Sequence, residues 1–200
     1  MPAGGGDIVA LENEELLRSL IETLGARGTG NVAGFSKVGI YWRCPACGRS
    51  KAEIARLDKN GNLLCAIVSH HDHFHDFEPG LEGAGAGAAY VVLARFQPTL
   101  ICNDCNVVDA AAKKMVGAPG YFSFAPYEIA YFINVARNEG HKVDLAKAHT
   151  AYAAAQPGVG LLEEMLANAR AGGDRGPEHI SEPVNRVLAA ARARMKPGGE

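Results

Sequence analysis

No stretch of this 200-residue chain approaches the roughly 20 consecutive apolar residues that a membrane-spanning helix needs. The opening residues, Met1 to Asp7, have neither a basic start nor an apolar core of the kind a secretion signal carries, so a cytoplasmic setting is expected. An excess of one charge is also lacking. Twenty basic residues stand against 22 acidic ones, a net of −2, so any surface for a polyanion must be local. Tryptophan occurs once, and no internal repeat is present. The 24 glycines and 10 prolines exceed the usual share but fall short of a disordered or collagen-like chain. With 48% apolar and 21% charged residues, the length suits one domain, or one domain with a helical appendage.

Apolar residues at 11, 16, 17, 20, 21 and 24, with Glu12, Glu14 and Glu15 early, predict an amphipathic helix that stops at Gly25. A short strand is predicted over residues 37–42. Residues 54–57 and 62–69, joined by Asp58-Lys59-Asn60-Gly61, predict a β-hairpin whose Asn-Gly pair supplies the positive φ of a tight turn. Residues 79–88 form a glycine-rich loop, residues 89–96 predict another strand, and a helix is expected to run through Val116. Beyond residue 120, helices are expected over about 126–138, with Ser123 as cap and Pro126 early in the helix, and near 143–154, 158–171 and 181–195. The chain thus divides into an N-terminal helix and linker (1–35), a central module (36–117) and a C-terminal helical region (118–200).

Five cysteines, four of them in two C-x-x-C pairs, point to metal or redox chemistry and not to a disulfide scaffold. A turn between the cysteines of each pair lets both sulfurs face one ion. Cys44, Cys47, Cys102 and Cys105 together make a closed, thiolate-rich set that suits structural Zn²⁺. Residues 48–101 separate the pairs, far more than the roughly 15–20 of a compact zinc ribbon, so an insertion must fold between them. The rival redox reading of Trp42-Arg43-Cys44-Pro45-Ala46-Cys47 is weaker, because Gly48 follows as in a knuckle and a matching second pair exists. Cys65, inside a strand pattern, reads as a buried small apolar residue.

Four of the seven histidines lie in Ser69-His70-His71-Asp72-His73-Phe74-His75-Asp76. Imidazoles and carboxylates at the end of a strand can hold a cation and move protons near neutral pH. Strand parity places His70 and Asp72 on one face and His71, His73 and His75 on the other. A histidine-rich surface loop or a second structural metal site is the plainer reading.

Taken in order, C-P-A-C, hairpin, H-H-D-H-F-H, strand and L-I-C-N-D-C-N entering a helix, the central module resembles the His-Me finger (HNH) nucleases with a Cys₄ zinc, of the recombination endonuclease VII type. The likeness spans residues 44–116. It implies an α+β fold: a ββα-metal module stabilised by the two zinc knuckles, with flanking N- and C-terminal helices. It further implies metal-dependent hydrolysis of DNA phosphodiester bonds. Asp72 and Asn106 would bind a catalytic divalent cation, Mg²⁺ or Mn²⁺. His73 would be the general base, with His70 and His75 secondary. The hairpin after Cys47 and the glycine-rich insertion depart from compact members, and the middle Asn of the family pattern has only Gln97 as a counterpart. The alternative from another class is a non-catalytic zinc-binding module that docks nucleic acid or a protein partner.

Basic residues that could follow a phosphate backbone are Lys113 and Lys114 in the helix after Asn106, and Arg186, Arg192 and Arg194 near the C-terminus, with Lys51 and Arg56 as further contributors. The plainer reading of residues 184–196 is a solvated helix face. Tyr121, Phe122, Phe124, Tyr127, Tyr131 and Phe132 read as core and not as a base-stacking surface. His141 and His149 read as surface or capping residues. A symmetric homodimer is a common way of cutting both strands and is compatible with the chain.

Overall fold

The computed structural model describes residues 5–73 and 95–156. Helix α1, Gly5–Leu24, begins well before the predicted start. Its early apolar residues Ile8 and Leu11 are exposed, so the burial pattern from which a helix is read sets in only later. Leu20 is buried, and Leu16, Leu17, Ile21 and Leu24 pack beside it on the core.

The strand predicted over 37–42 is not formed. A single 3-10 turn, Phe35–Lys37, takes its place, and Phe35 inserts into the core. Gly34, which precedes it, is held at φ 71°, and a Cβ there would lie 2.0 Å from the carbonyl oxygen of Ile67. That close approach lets the chain from Gly28 to Ala33 run alongside residues 62–67. The ladder continues through Gly30 N–H to Leu63 O, Cys65 N–H to Asn31 O and Ile67 N–H to Ala33 O, at 2.9, 3.0 and 2.8 Å.

The predicted hairpin exists but is shorter. Helix α2, Lys51–Ile54, occupies its first residue, closed by a capping box in which Ser50 and Glu53 exchange side-chain-to-backbone bonds. Strand β2, Arg56–Leu57, pairs antiparallel with β3, Asn62–Leu64, and β1, Gly28–Thr29, pairs parallel on the other side of β3. Within the turn, Gly61 takes the positive φ and Asn60 does not. The Asp58 carboxylate holds the turn by accepting the N–H groups of Asn60 and Asn62, both at 2.8 Å.

The run predicted as one strand over 62–69 breaks at Cys65–Ala66, where successive residues are buried and alternation fails. Strand β4, Ile67–His70, belongs to a separate antiparallel pair with β5, Thr99–Cys102, in the register Ile67 with Cys102 and His70 with Thr99. The strand that pairs with β4 is therefore Thr99–Cys102, a stretch not predicted as a strand, and the predicted strand over 89–96 is only partly described. Of that stretch, 89–94 lies outside the described residues, and Arg95 and Phe96 form a bend. Helix α3, Asn103–Val116, leaves β5 directly and packs on β4 and β5.

Helix α4, Pro126–Phe132, ends early. Ile133–Asn134 (β6) turns away to pair with Lys142–Val143 (β7), and a further helix, α5, occupies 145–156, the last of the described residues. Tertiary bonds override helix propagation here. Asn138, at φ 56°, donates from its side chain to Ala52 O and Ala55 O at 2.9 and 2.6 Å, pinning the β6–β7 turn onto α2. Ser123 is not the cap of α4. Ala125 is, and Glu128 reaches back to its N–H at 2.7 Å. The helices predicted at 158–171 and 181–195 lie outside the described residues.

One buried cluster draws on all three predicted segments, from Leu20 through Leu63, Ile101 and Phe124 to Ala155. Phe122, Phe124 and Phe132 are in its centre, with edge-to-face ring pairs at 4.8 Å. Tyr127 and Tyr131, expected in the core, are instead 69% and 51% exposed, because α4 turns that edge outward.

Lys51 is the least expected core residue. Fully buried, its ammonium donates to Asn13 Oδ1, Phe35 O and Val38 O and lies over the Phe35 ring. It thereby ties α1 and the 3-10 turn to α2, and it is unavailable for a phosphate. Lys51→Met should destabilise the protein by about 2–4 kcal/mol, since three buried acceptors lose their donor. Burial pushes the Lys51 amine down to about 8 from 10.5. The unfolded chain then holds the extra proton between those values, so the Lys51 contribution rises with pH. The stability gap between wild type and Lys51→Met, read by urea denaturation, should widen from pH 8 towards pH 10.

Candidate metal centre and the histidine cluster

The first cysteine pair is shaped by its own turn. Arg43 and Ser50 form an antiparallel bridge, Gly48 N–H returns to Cys44 O at 2.7 Å, and Cys44 N–H reaches Arg49 O at 2.9 Å. Gly48, at φ 71°, supplies the left-handed backbone that brings Cys47 round to face Cys44. The second pair is shaped by α3. Cys102 is its N-cap and Cys105 lies in its first turn, so the positive end of the helix dipole faces both sulfurs. Register puts Cys102 at the end of β5, and its N–H points to Cys44 Sγ at 3.3 Å.

The four sulfurs lie within 4.8 Å of one another. Cys44–Cys105, Cys47–Cys102 and Cys102–Cys105 are separated by 3.8, 3.7 and 3.4 Å. A disulfide would require about 2.0 Å. Bonds of about 2.3 Å to a tetrahedral zinc place sulfurs about 3.8 Å apart, so spacing and donor chemistry both fit a structural metal such as zinc. Hydrogen bonding with Cys102 and Cys105 brings the Cys44 thiol down to about 7, and bonding with the same partners holds Cys47 well below the usual thiol range. Cys65 stands apart as a buried apolar residue, its thiol pushed up to about 12 by burial.

Arg49, adjacent to the knuckle and 2% exposed, gathers the surroundings of the cluster. Its Nε donates to Cys47 Sγ at 3.4 Å, and its Nη2 to Cys102 Sγ at 3.5 Å and Asp104 Oδ2 at 2.9 Å. Its Nη1 donates to Ala136 O and Glu139 O in the β6–β7 turn at 3.0 and 2.8 Å. Burial lowers the Arg49 guanidinium, but its bonds to Cys47, Asp104 and Cys102 hold it above its ordinary value. Arg56 adds two bonds to Asp104 Oδ1, at 3.2 and 3.0 Å, and is thereby tied to the first turn of α3.

The histidine cluster follows its predicted parity. His70 and Asp72 are each 1% exposed, while His71 and His73 are half-buried with ring centroids 4.7 Å apart. The His70 ring stacks on Phe96 at 5.0 Å, and its Nε2 lies 2.7 Å from Phe124 O. The N–H of Phe124 goes to Asp109 Oδ1 on α3 at 2.8 Å. One peptide segment therefore joins the end of β4 to the α3 face that carries Asn106, one turn earlier and half-buried. Asp72 accepts the N–H of Arg95 through Oδ2 at 3.0 Å, and Arg95 also holds Ser123 O at 2.6 Å and pairs with Glu128.

Not every predicted site residue joins these groups. Among the described residues, the four cysteines are the cluster of His, Cys, Asp and Glu spaced to hold a metal, and Asp72 belongs to no second such group. Lys113 pairs with Asp109 at 3.0 Å and donates to Ser123 at 3.3 Å, so it serves the interior and not a phosphate surface. Lys114 is exposed. Gln97 follows the Arg95–Phe96 bend, close to the start of β5. His75, Arg186, Arg192 and Arg194 lie outside the described residues. His141, read as a surface residue, has both ring nitrogens buried, beside Cys47. Its sequence neighbourhood gives no sign of this, because the β6–β7 pairing and the Arg49 bond to Glu139 O bring it there. No protein-family model matches the chain, and neither a curated protein nor a solved structure matches it.

Cys102→Ser should lose the metal and with it the cooperative fold, because metal binding and folding share one free energy. Cys65→Ala should keep a full complement of metal. Elemental analysis and thermal denaturation of the two variants side by side check both outcomes.

Proposed function

We propose that the chain is a metal-dependent endonuclease of the His-Me finger type that hydrolyses DNA phosphodiester bonds. The observation that supports this reading most is the chain order of one unit. The antiparallel pair β4–β5 runs directly into α3, Asp72-His73 leave the end of β4, and Asn106 follows Cys105 in the first turn of α3.

In this reading the cysteine cluster and its zinc fix the start of α3, and so fix Asn106 without a loop's freedom. Asp72 and Asn106 offer carboxylate and amide oxygens, the hard donors that Mg²⁺ or Mn²⁺ prefers. A carboxylate at 1% exposure is costly without compensation, and a cation would add to the compensation to which the Arg95 N–H bond contributes. When bound, the cation stabilises negative charge on the phosphate and on the departing oxygen. The His73 imidazole, half-exposed beside His71, takes a proton from the attacking water at a ring nitrogen. His70 orients the strand end by anchoring Phe124. The burial of Asp72 and His70 is what favours the second reading, a zinc-binding module that docks nucleic acid or a protein with no chemistry of its own.

Supercoiled plasmid incubated with the zinc-loaded protein and Mg²⁺ or Mn²⁺ should be nicked or linearised. His73→Ala and Asn106→Ala should each lower that rate about a hundredfold or more while retaining zinc and fold. An intact plasmid, with one zinc per chain present, would replace this reading with the binding module. Undiminished cutting by both variants would remove the assigned site.

A further inference from the structure

The ring of His141 poses a question that the endonuclease reading leaves unanswered. Both its nitrogens are buried and lack a hydrogen-bond partner of ordinary geometry. An imidazole has at least one N–H donor, and leaving it unpaired in the interior costs free energy unless something accepts it. The acceptor at hand is sulfur: the His141 side chain meets Cys47, the one member of the cluster that is not fully buried.

The placement is enforced from two sides. Arg49 holds the carbonyl of Glu139, two residues before His141, at 2.8 Å. Strand β7 begins at Lys142, one residue after it, and pairs with β6. The ring is thus delivered to the cluster by a turn clamped at both ends. A thiolate bound to zinc keeps lone pairs that accept N–H donors. Such bonds draw off negative charge and strengthen the hold on the metal. Cys47 already accepts one bond from Arg49 Nε, and His141 approaches as another neighbour.

We propose that His141 is an outer-sphere positioning residue of the metal centre, donating a ring N–H to the Cys47 thiolate and coupling metal retention to closure of the β6–β7 turn. This inference stands apart from the nuclease reading, since it concerns only the cysteine cluster and the turn. It also gives the C-terminal region a role in the metal site that the two C-x-x-C motifs do not announce.

The test uses the full-length, zinc-loaded chain and follows zinc transfer to a chromogenic chelator, for wild type, His141→Gln and His141→Leu. His141→Leu should release zinc at least about tenfold faster, and Cys47 should alkylate faster in the same variant. His141→Gln, which keeps an N–H donor, should return both rates most of the way to wild type. Equal release by all three proteins would overturn the proposal. Equally fast release by the Gln and Leu variants would also overturn it, because packing alone would then explain the effect. Wild-type protein loaded with NMR-active cadmium and labelled histidine needs no variant to fold. A coupling from cadmium to the His141 ring proton, carried through sulfur, is expected. A direct one-bond coupling to the ring nitrogen would make His141 a ligand and overturn the outer-sphere role.

Discussion

Four sulfurs held within 4.8 Å of one another in a nearly dry interior are the constraint on which the rest of this structure depends. As thiolates they repel strongly, and as thiols they bury poor donors with poor partners. A bound divalent cation would resolve the conflict, and would do so across a long interval of chain. Residues 48–101 lie between the two pairs, so closing the cluster closes the largest loop in the central module. A zinc tetrathiolate formed there would still carry two negative charges. The buried Arg49 guanidinium and the amino end of α3 supply the compensating positive field.

Arg49 also carries the influence of the cluster outward. Its five donors reach two sulfurs, one carboxylate and two carbonyls of the β6–β7 turn. The planar, forked guanidinium can serve all of these at once, whereas a lysine ammonium could not. The C-terminal turn is thus built onto the metal centre and does not merely flank it. The same economy governs the far end of β4. There the segment 121–128 contributes Phe122 and Phe124 to the hydrophobic core and, through its backbone, connects His70, Asp109 and Arg95. Apolar packing and the polar network around the histidines are two uses of the same residues.

Much of this was legible in the sequence where the signal was chemical and local. The C-x-x-C spacing announced both halves of the cluster, the placement of Cys65 announced a buried thiol, and parity sorted His70 and Asp72 from His71 and His73. Elements were misread where burial on both sides erases alternation, as at Cys65–Ala66, or where a distant partner ends a helix, as Asn138 does for the stretch after Phe132. In sequence, Lys51 reads as a further contributor to phosphate contact. Only the convergence of Asn13, Phe35 and Val38 makes a buried ammonium tolerable.

The sequence by itself determined which four cysteines gather into one cluster, the order of strand, strand and helix around it, and the position of Asn106 one residue beyond the last cysteine. These are matters of spacing along the chain, which covalent geometry carries into space unchanged. Tertiary structure alone decided that Arg49 rather than any basic cluster faces the sulfurs, that Lys113 turns inward to Asp109, and that His141 arrives beside Cys47. Those placements depend on which buried donors and acceptors must find one another once the core has closed. A one-dimensional pattern does not encode such pairings, because the partners are far apart in sequence and are selected by the cost of leaving either one unpaired.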